Sequence, residues 1–292
     1  MKTISFSVIY LFLRFLALFP LRFLYLVSDV FYLIVFHLLG YRKKVVISNL
    51  KHAFPEKSAG EIRSIARRFY RHFCDSLFES VKILGISKNE LNDRFRFKNP
   101  QIFDNLYRSG KSIVLVSGHQ GNWEWMIDIQ SKIRHKFLAI YKPLADRNFD
   151  KLLKRLREKY ANGGALIAMD DIYRNLINHR QQQVLTATWF LADQTPPKDY
   201  PFWIDFMNRE TPFFTGPARI AKKFGQPVVF MQIRKLKRGY YEAEFSLLAQ
   251  HPDNHSEQEL TEMYVRKIEA GIREQPSFWL WTHRRWKHRK KE

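Results

Sequence analysis

Apolar residues dominate the first forty positions and then give way to periodic patterns. From Ile4 to Tyr41 the chain is mostly Leu, Phe, Val, Ile and Tyr, interrupted by Arg14, Pro20, Arg22 and Asp29. Residues 5–19 are too short and too broken to cross a bilayer, whereas 23–41, FLYLVSDVFYLIVFHLLGY, approach the ~20 residues that a spanning helix needs. No small-residue cleavage site follows a simple apolar core, which argues against a removed signal peptide. Arg42, Lys43 and Lys44 come next, and the positive-inside rule then places the bulk of the chain on the cytoplasmic face. The pattern predicts a membrane anchor over 1–41, either spanning the bilayer or lying in its interface, ahead of an α/β domain over 42–292; the other reading is a buried helical hairpin at the start of a soluble domain, against which stand the length, the aromatic content and the abrupt basic flank.

Past the anchor, two periods alternate. Ser58 and Glu61 have the spacing of a capping box, and Ile62, Ile65, Phe69, Phe73, Leu77 and Val81 recur at helical intervals behind them. Runs rich in Val, Ile, Phe and Tyr predict strands at 112–117, 137–141, 184–192, 227–233 and 240–247. Helical patterns fall near 122–133, 147–160, 216–224 and 257–273. The alternation implies a central, mostly parallel or mixed sheet flanked by helices, ended by an antiparallel hairpin through Lys237, Arg238 and Gly239. In such folds ligands bind beyond the carboxyl ends of the strands.

Charge narrows the partners. Lys and Arg number 49 against 28 Asp and Glu, a formal net charge of +21. The surplus points to an anionic partner: nucleic acid, an acidic carrier protein, a phosphorylated substrate or an anionic membrane surface. No zinc-finger or RRM signature accompanies it, and the apolar N-terminus argues against nucleic acid. The single cysteine, Cys74, excludes an internal disulfide and a cysteine zinc cluster, and reads as a small apolar filler of a helix face.

The stretch SGHQGNWEW, residues 117–125, follows the apolar run IVLV. Gly118 and Gly121 permit a sharp turn, Asn122 is a suitable N-cap for a helix from Trp123, and His119 then stands at the carboxyl end of a strand. Glu124 falls in the first helical turn, where the helix dipole alone favours a carboxylate. A histidine has no capping duty in such a turn. His119 with Glu124 five positions on therefore suggests a base and its orienting carboxylate, as used in acyl transfer. Backbone N–H groups near Gly121 and Asn122 are the candidates for stabilising an oxyanion.

Taken together, G-H-x-G-N-W-E after an apolar strand, RKKVVISNLKHAFPEKS after the anchor, FLADQ, and the C-terminal WLWTHRRWK resemble the bacterial lipid A biosynthesis acyltransferases, the lauroyl and myristoyl late acyltransferases. These fall within the wider lysophospholipid and glycerol-phosphate acyltransferase group with its H-x4-D/E motif. The resemblance implies transfer of a fatty acyl chain from acyl carrier protein, or acyl-CoA, to a hydroxyl of a phosphorylated lipid A precursor. It places the reaction at the cytoplasmic face of the bacterial inner membrane, without metal or redox cofactor. It makes His119 the general base and Glu124 its partner. Its later blocks place Asp193, Arg209, Thr211 and Gly216 at the substrate, with Asn122 beside the histidine; the cations Lys142, Arg147, Arg174, Arg209, Arg284 and Arg285 are candidates for phosphate by their own chemistry, against the plainer reading of a solvated charge or structural ion pair. The middle block departs from the family pattern, with Lys142 where many relatives have arginine and a basic residue shifted to Arg174. Other readings remain open at this point: a lysophospholipid or amino-acid-linked lipid as acceptor, or a non-enzymatic basic binder of membrane or nucleic acid.

Overall fold

The computed structural model describes residues 2–159, 163–288 and 290. Helices α1 (Lys2–Leu18), α2 (Leu21–Leu33), α3 (Lys43–Ala53), α4 (Ala59–Lys82) and α5 (Lys88–Arg94) lead into β1 (Phe95–Phe97), α6 (Gln101–Arg108), β2 (Ile113–Ser117) and β3 (Lys136–Tyr141). There follow α7 (Arg147–Glu158), β4 (Ala165–Ala168), α8 (Ile172–Gln181), β5 (Thr186–Leu191), and the short β6 (Trp203–Asp205) and β7 (Glu210–Pro212). The chain closes with α9 (Gly216–Phe224), β8 (Val228–Lys237), β9 (Tyr240–Ala249) and α10 (Glu257–Glu274).

Seven strands form one sheet in the order β1-β9-β8-β2-β5-β3-β4, and β6 pairs with β7 as a separate antiparallel ribbon. All neighbours in the large sheet are parallel except β8 and β9, which form the expected antiparallel hairpin. The fold is therefore α/β with a mixed, mainly parallel sheet. Strand β2 is central and buried along its whole length, which accounts for its continuous apolar run. Alternation along the strands feeds two cores: Val114, Val116, Phe190 and Phe230 face one, and Ile113, Leu115, Trp189 and Val229 the other.

The N-terminal helices pack on this frame. Leu21–Leu38, where α2 continues through a π-helical turn, has a mean hydropathy of 1.7 and is long and apolar enough to cross a membrane, yet 39% of it is buried against the protein. Leu21, Leu24 and Tyr25 join one core, and Tyr32, Val35 and Phe36 the other. The opposite side leaves Leu26, Val30, Leu33 and Leu38 exposed. Helix α4 runs behind it, its start fixed by the reciprocal hydrogen bonds of the Ser58–Glu61 capping box. Cys74 is fully buried on α4 in an apolar cluster, and burial pushes its thiol up to about 12, followed by the influence of Asp75. An unreactive filler is what that environment makes of it.

Two local expectations are corrected. Trp123–Ser131 is a 3-10 rather than an α-helix, and Asn122 caps nothing with its side chain. Its buried amide instead donates to Glu79 Oε2 at 2.7 Å. Alternating Trp123, Trp125, Ile127 and Ile129 are indifferent helix formers, and burial of Trp125, Ile127 and Ile129 holds them in the tighter winding.

Candidate active site

The site forms where β2 and β5 end side by side. Their parallel pairing continues past the strands, Ala192 N–H donating to Ser117 O at 2.9 Å, so that His119 and Asp193 emerge as neighbours although 74 positions apart. Gly118 makes the approach possible, since a Cβ there would lie 3.0 Å from Asp193 Oδ2. Gly121 takes a left-handed φ of +63°, and a Cβ on it would stand 2.7 Å from the Ile233 side chain. Backbone from the C-terminal segment closes over this turn: Gly121 N–H donates to Phe278 O, and Leu280 N–H to His119 O.

The Asp193 carboxylate, only 2% exposed, receives three donors. Its Oδ1 accepts from His119 Nδ1 at 2.5 Å, and its Oδ2 accepts from His119 N–H at 2.7 Å and from Trp279 Nε1 at 2.6 Å. Burial alone pushes this carboxyl up, but the charge and hydrogen bonds of His119, together with Trp279, outweigh it and hold the group at about 2. The ionised carboxylate fixes the proton on Nδ1. His119 Nε2 is left as an acceptor turned toward Gln194, whose amide nitrogen lies 3.2 Å away. The nearby His283 is driven down to about 4, chiefly by burial, and its Nε2 accepts from Thr195 N–H at 3.1 Å.

Glu124 does not orient His119. Its two oxygens are held by Arg157 Nε at 2.9 Å and Nη2 at 2.6 Å, a bidentate pair, with Trp123 Nε1 at 3.2 Å. The Trp123 ring packs edge-on to the imidazole, with centroids 5.1 Å apart, so the three residues form a row. Behind the row opens an apolar cleft of about 580 Å³ of empty space, lined by Trp123, Glu124, Phe137, Ala139, Arg157, Leu166 and Trp189 among others.

The remaining sequence candidates scatter. Lys142 is exposed just past β3, and Arg174 is 80% exposed at the start of α8, 3.9 Å from Asp171. Lys142 follows β3, two strands from β2, and Arg174 lies on the helix after β4, three strands from β2. Arg147 opens α7, but its side chain lies outside the described residues. Arg209 is half-buried at the β6–β7 turn, and the buried Thr211 hydroxyl is engaged with Arg209 O and Trp286 Nε1. Gly216 begins α9 with open space where a side chain would project. Arg284 is exposed, whereas Arg285 is wholly buried, donating to Pro212 O and lying 4.2 Å from the centre of the Phe213 ring. Burial lowers its guanidinium to about 9, a fall opposed by the charge of Asp193. Arg285 is thus a buried counter-charge and not a surface contact for a phosphate. The Gly121 N–H expected to face an oxyanion is already spent on Phe278, and the Asn122 side chain expected at the substrate is buried against Glu79.

Arg157 carries no motif that marks it in the sequence, and Trp279 and His283 lie within WLWTHRRWK without a spacing that ties them to His119. Among the described residues, no three His, Cys, Asp or Glu side chains group to hold a metal ion.

A buried aspartate holding a part-exposed histidine at the carboxyl edge of an α/β sheet, near an apolar cleft, is an arrangement suited to acyl transfer. The sequence profile of the family described as bacterial lipid A biosynthesis acyltransferase matches residues 1–288, and the chain belongs to that family. No individual curated protein is significantly similar to it in sequence.

Proposed function

We propose that this acyltransferase moves a fatty acyl chain from a thioester, carried by acyl carrier protein, to a hydroxyl of a phosphorylated lipid A precursor, at the cytoplasmic face of the inner membrane. The observation that carries the reading is the His119 imidazole, held by Asp193 so that Nε2 is its acceptor, with the Trp123 ring between it and an apolar cleft. Nε2 takes the proton of the acceptor hydroxyl as its oxygen bonds to the thioester carbonyl. The tetrahedral adduct then collapses with cleavage of the C–S bond, and the proton on Nε2 passes to the departing thiolate. The products are an ester and a free thiol, and His119 returns to its starting state. Asp193 keeps the ring in one tautomer and supports its transient positive charge. Gln194 occupies the acceptor's position on Nε2 and gives way when the hydroxyl arrives.

Glu124 takes a different part from the one its spacing suggests. With Arg157 it forms a charged lip on the cleft, placing paired polar groups at the thioester end of a bound chain while Phe137, Ala139 and Leu166 surround the hydrocarbon. The exposed cations Lys142, Arg174 and Arg284 are the candidates for meeting the acceptor's phosphates. The test is direct: purified full-length protein, acyl-loaded carrier and a lipid A precursor should yield a product heavier by one acyl group, and His119→Ala protein should not. Acylation only of lysophospholipid, or of no lipid, would overturn the reading.

A further inference from the structure

Two polar threads run from the inner face of α2, through the protein interior, to consecutive residues of the turn that carries His119. The first is short. Glu79 on α4 is 0% exposed, and three donors converge on its carboxylate: Tyr25 Oη from α2 at 2.8 Å, Tyr241 Oη from β9 at 2.8 Å and Asn122 Nδ2 at 2.7 Å. The second is longer. Arg238 bridges Asp29 of α2 and Asp75 of α4, with closest approaches of 2.7 Å to each. Asp75 also accepts from Ser28 and lies 3.7 Å from Lys235 Nζ. Lys235 Nζ donates to His72 Nδ1 at 3.2 Å, and His72 Nε2 donates to Gly121 O at 3.2 Å. A carbonyl can only accept, so the proton of His72 sits on Nε2, and burial, with Lys235 nearby, favours the neutral ring, whose Nδ1 is then an acceptor for Lys235.

Burial of Glu79, Asp75 and His72 is costly unless each is satisfied, and here the satisfied groups end on the catalytic turn, while Asp29 and Arg238 keep the outer end of the second thread in contact with solvent. The opposite face of α2 presents Phe23, Leu26, Val30 and Leu33 to the surroundings. One helix therefore offers an apolar side to a lipid phase and a polar side to the site. We infer that Glu79 is a positioning residue for the acyl-transfer turn, acting through Asn122, and that Tyr25 makes the seating of α2 part of the active geometry. On this inference α2 supports the site from behind, through Glu79, rather than serving as a detachable tether. It rests on the acyl-transfer reading of His119. It adds that a hydroxyl on the N-terminal helix governs turnover without touching substrate.

The experiment is a double-mutant cycle in the full-length protein, in detergent micelles, between Tyr25→Phe and Asn122→Ala, with Glu79→Gln as a third variant. Tyr25→Phe removes one hydroxyl and no volume, and is expected to lower kcat roughly five- to fifty-fold, the effect of a small misplacement of reacting groups, with KM for the acyl donor within about twofold of wild type. The double variant should lose little more than Asn122→Ala alone, because both changes cut one thread. Glu79→Gln, which keeps the shape and one acceptor, should lie between wild type and Asn122→Ala. Additive losses, or unchanged kcat with a lowered melting temperature, would overturn the proposal. Should Asn122→Ala fail to fold, the Tyr25→Phe and Glu79→Gln pair completes the cycle, with the same non-additivity expected. A substrate-free arm separates this from the function itself: amide exchange at Gly121 and Asn122 should quicken in Tyr25→Phe relative to strand β2. Quickened exchange in a protein that acylates no lipid A precursor would leave the positioning intact and remove the proposed reaction, and unchanged exchange would remove the positioning.

Discussion

At the Asp193 carboxylate, every lone pair that matters is assigned, so a substitution there has a definite consequence. An amide in its place must turn an NH2 group toward one of three existing donors and cannot support an imidazolium. Asp193→Asn and His119→Ala should each lower turnover by roughly 10²–10⁴, the contribution of a positioned base, while a thermal melt shows the fold retained. Full activity in His119→Ala would remove the histidine from the mechanism. Acid stability follows from the same group. Its folded value of about 2 lies below the ordinary 3.8, so its stabilisation is complete above about pH 4 and is lost as pH falls toward 2, when the unfolded chain takes up its proton first. The contribution is about 2 kcal/mol. Denaturant melts of wild type and Asp193→Asn should therefore converge as pH falls through that window, and a gap independent of pH would contradict the ionised pair. His119 was legible in the sequence because glycines and an apolar strand frame it. Its partner was not, because proximity to Asp193 depends on the pairing of β2 with β5 across 74 positions, which no local pattern encodes. The nearer carboxylate, Glu124, was a reasonable choice from spacing, but Arg157, 33 residues further on, claims it.

At the scale of elements, strongly patterned segments were readable: β2, β5, the β8–β9 hairpin, α9 and α10 lie close to where periodicity put them. The short β1 and β4, of three and four residues, offer too few positions for an alternation to register. Helices α5, α6 and α8 are likewise brief, and the 3-10 winding after Asn122 shares its apolar content with an α-helix. The N-terminal segment shows the limit of reading hydropathy alone. Its composition suggests an appendage, yet Leu24, Tyr25, Val35 and Phe36 are buried in the protein's cores, and Lys82 Nζ caps the α1–α2 junction by donating to Ala17 O and Phe19 O. Deleting residues 1–41 should consequently expose core surface and strand Glu79 and Asp75 without their α2 partners. The expected product is insoluble or molten chain without acyl-transfer activity, rather than a soluble working domain. Near-ultraviolet circular dichroism of the refolded fragment checks this, and a native-like spectrum would show α2 to be dispensable to the fold.

For the whole molecule, two surfaces of different physics have to be distinguished. The apolar one is the outer side of α1 and α2, with Leu11, Phe12, Phe15, Leu18, Leu26 and Val30 exposed. Each such side chain gains up to about 2 kcal/mol on leaving water, and added salt does not screen that gain. The other surface is the basic one, the +21 surplus spread over the chain with Lys142, Arg174 and Arg284 exposed. Charges of that kind act over a Debye length of about 10 Å at 0.1 M salt and about 3 Å at 1 M, and they steer acidic partners more than they hold them. The two attachments should therefore separate under salt. Raising sodium chloride from about 0.05 to about 0.5 M should weaken binding of acyl carrier protein by roughly tenfold or more, mainly through slower association, as electrostatic steering is screened. The same wash should leave the full-length chain in the membrane pellet. Surface plasmon resonance with immobilised carrier, run beside sedimentation of membranes at each salt concentration, reads both. Release of the protein from membranes by salt would mean that its basic groups, and not α1 and α2, hold it there, and carrier binding indifferent to salt would remove the charge surplus from donor recognition.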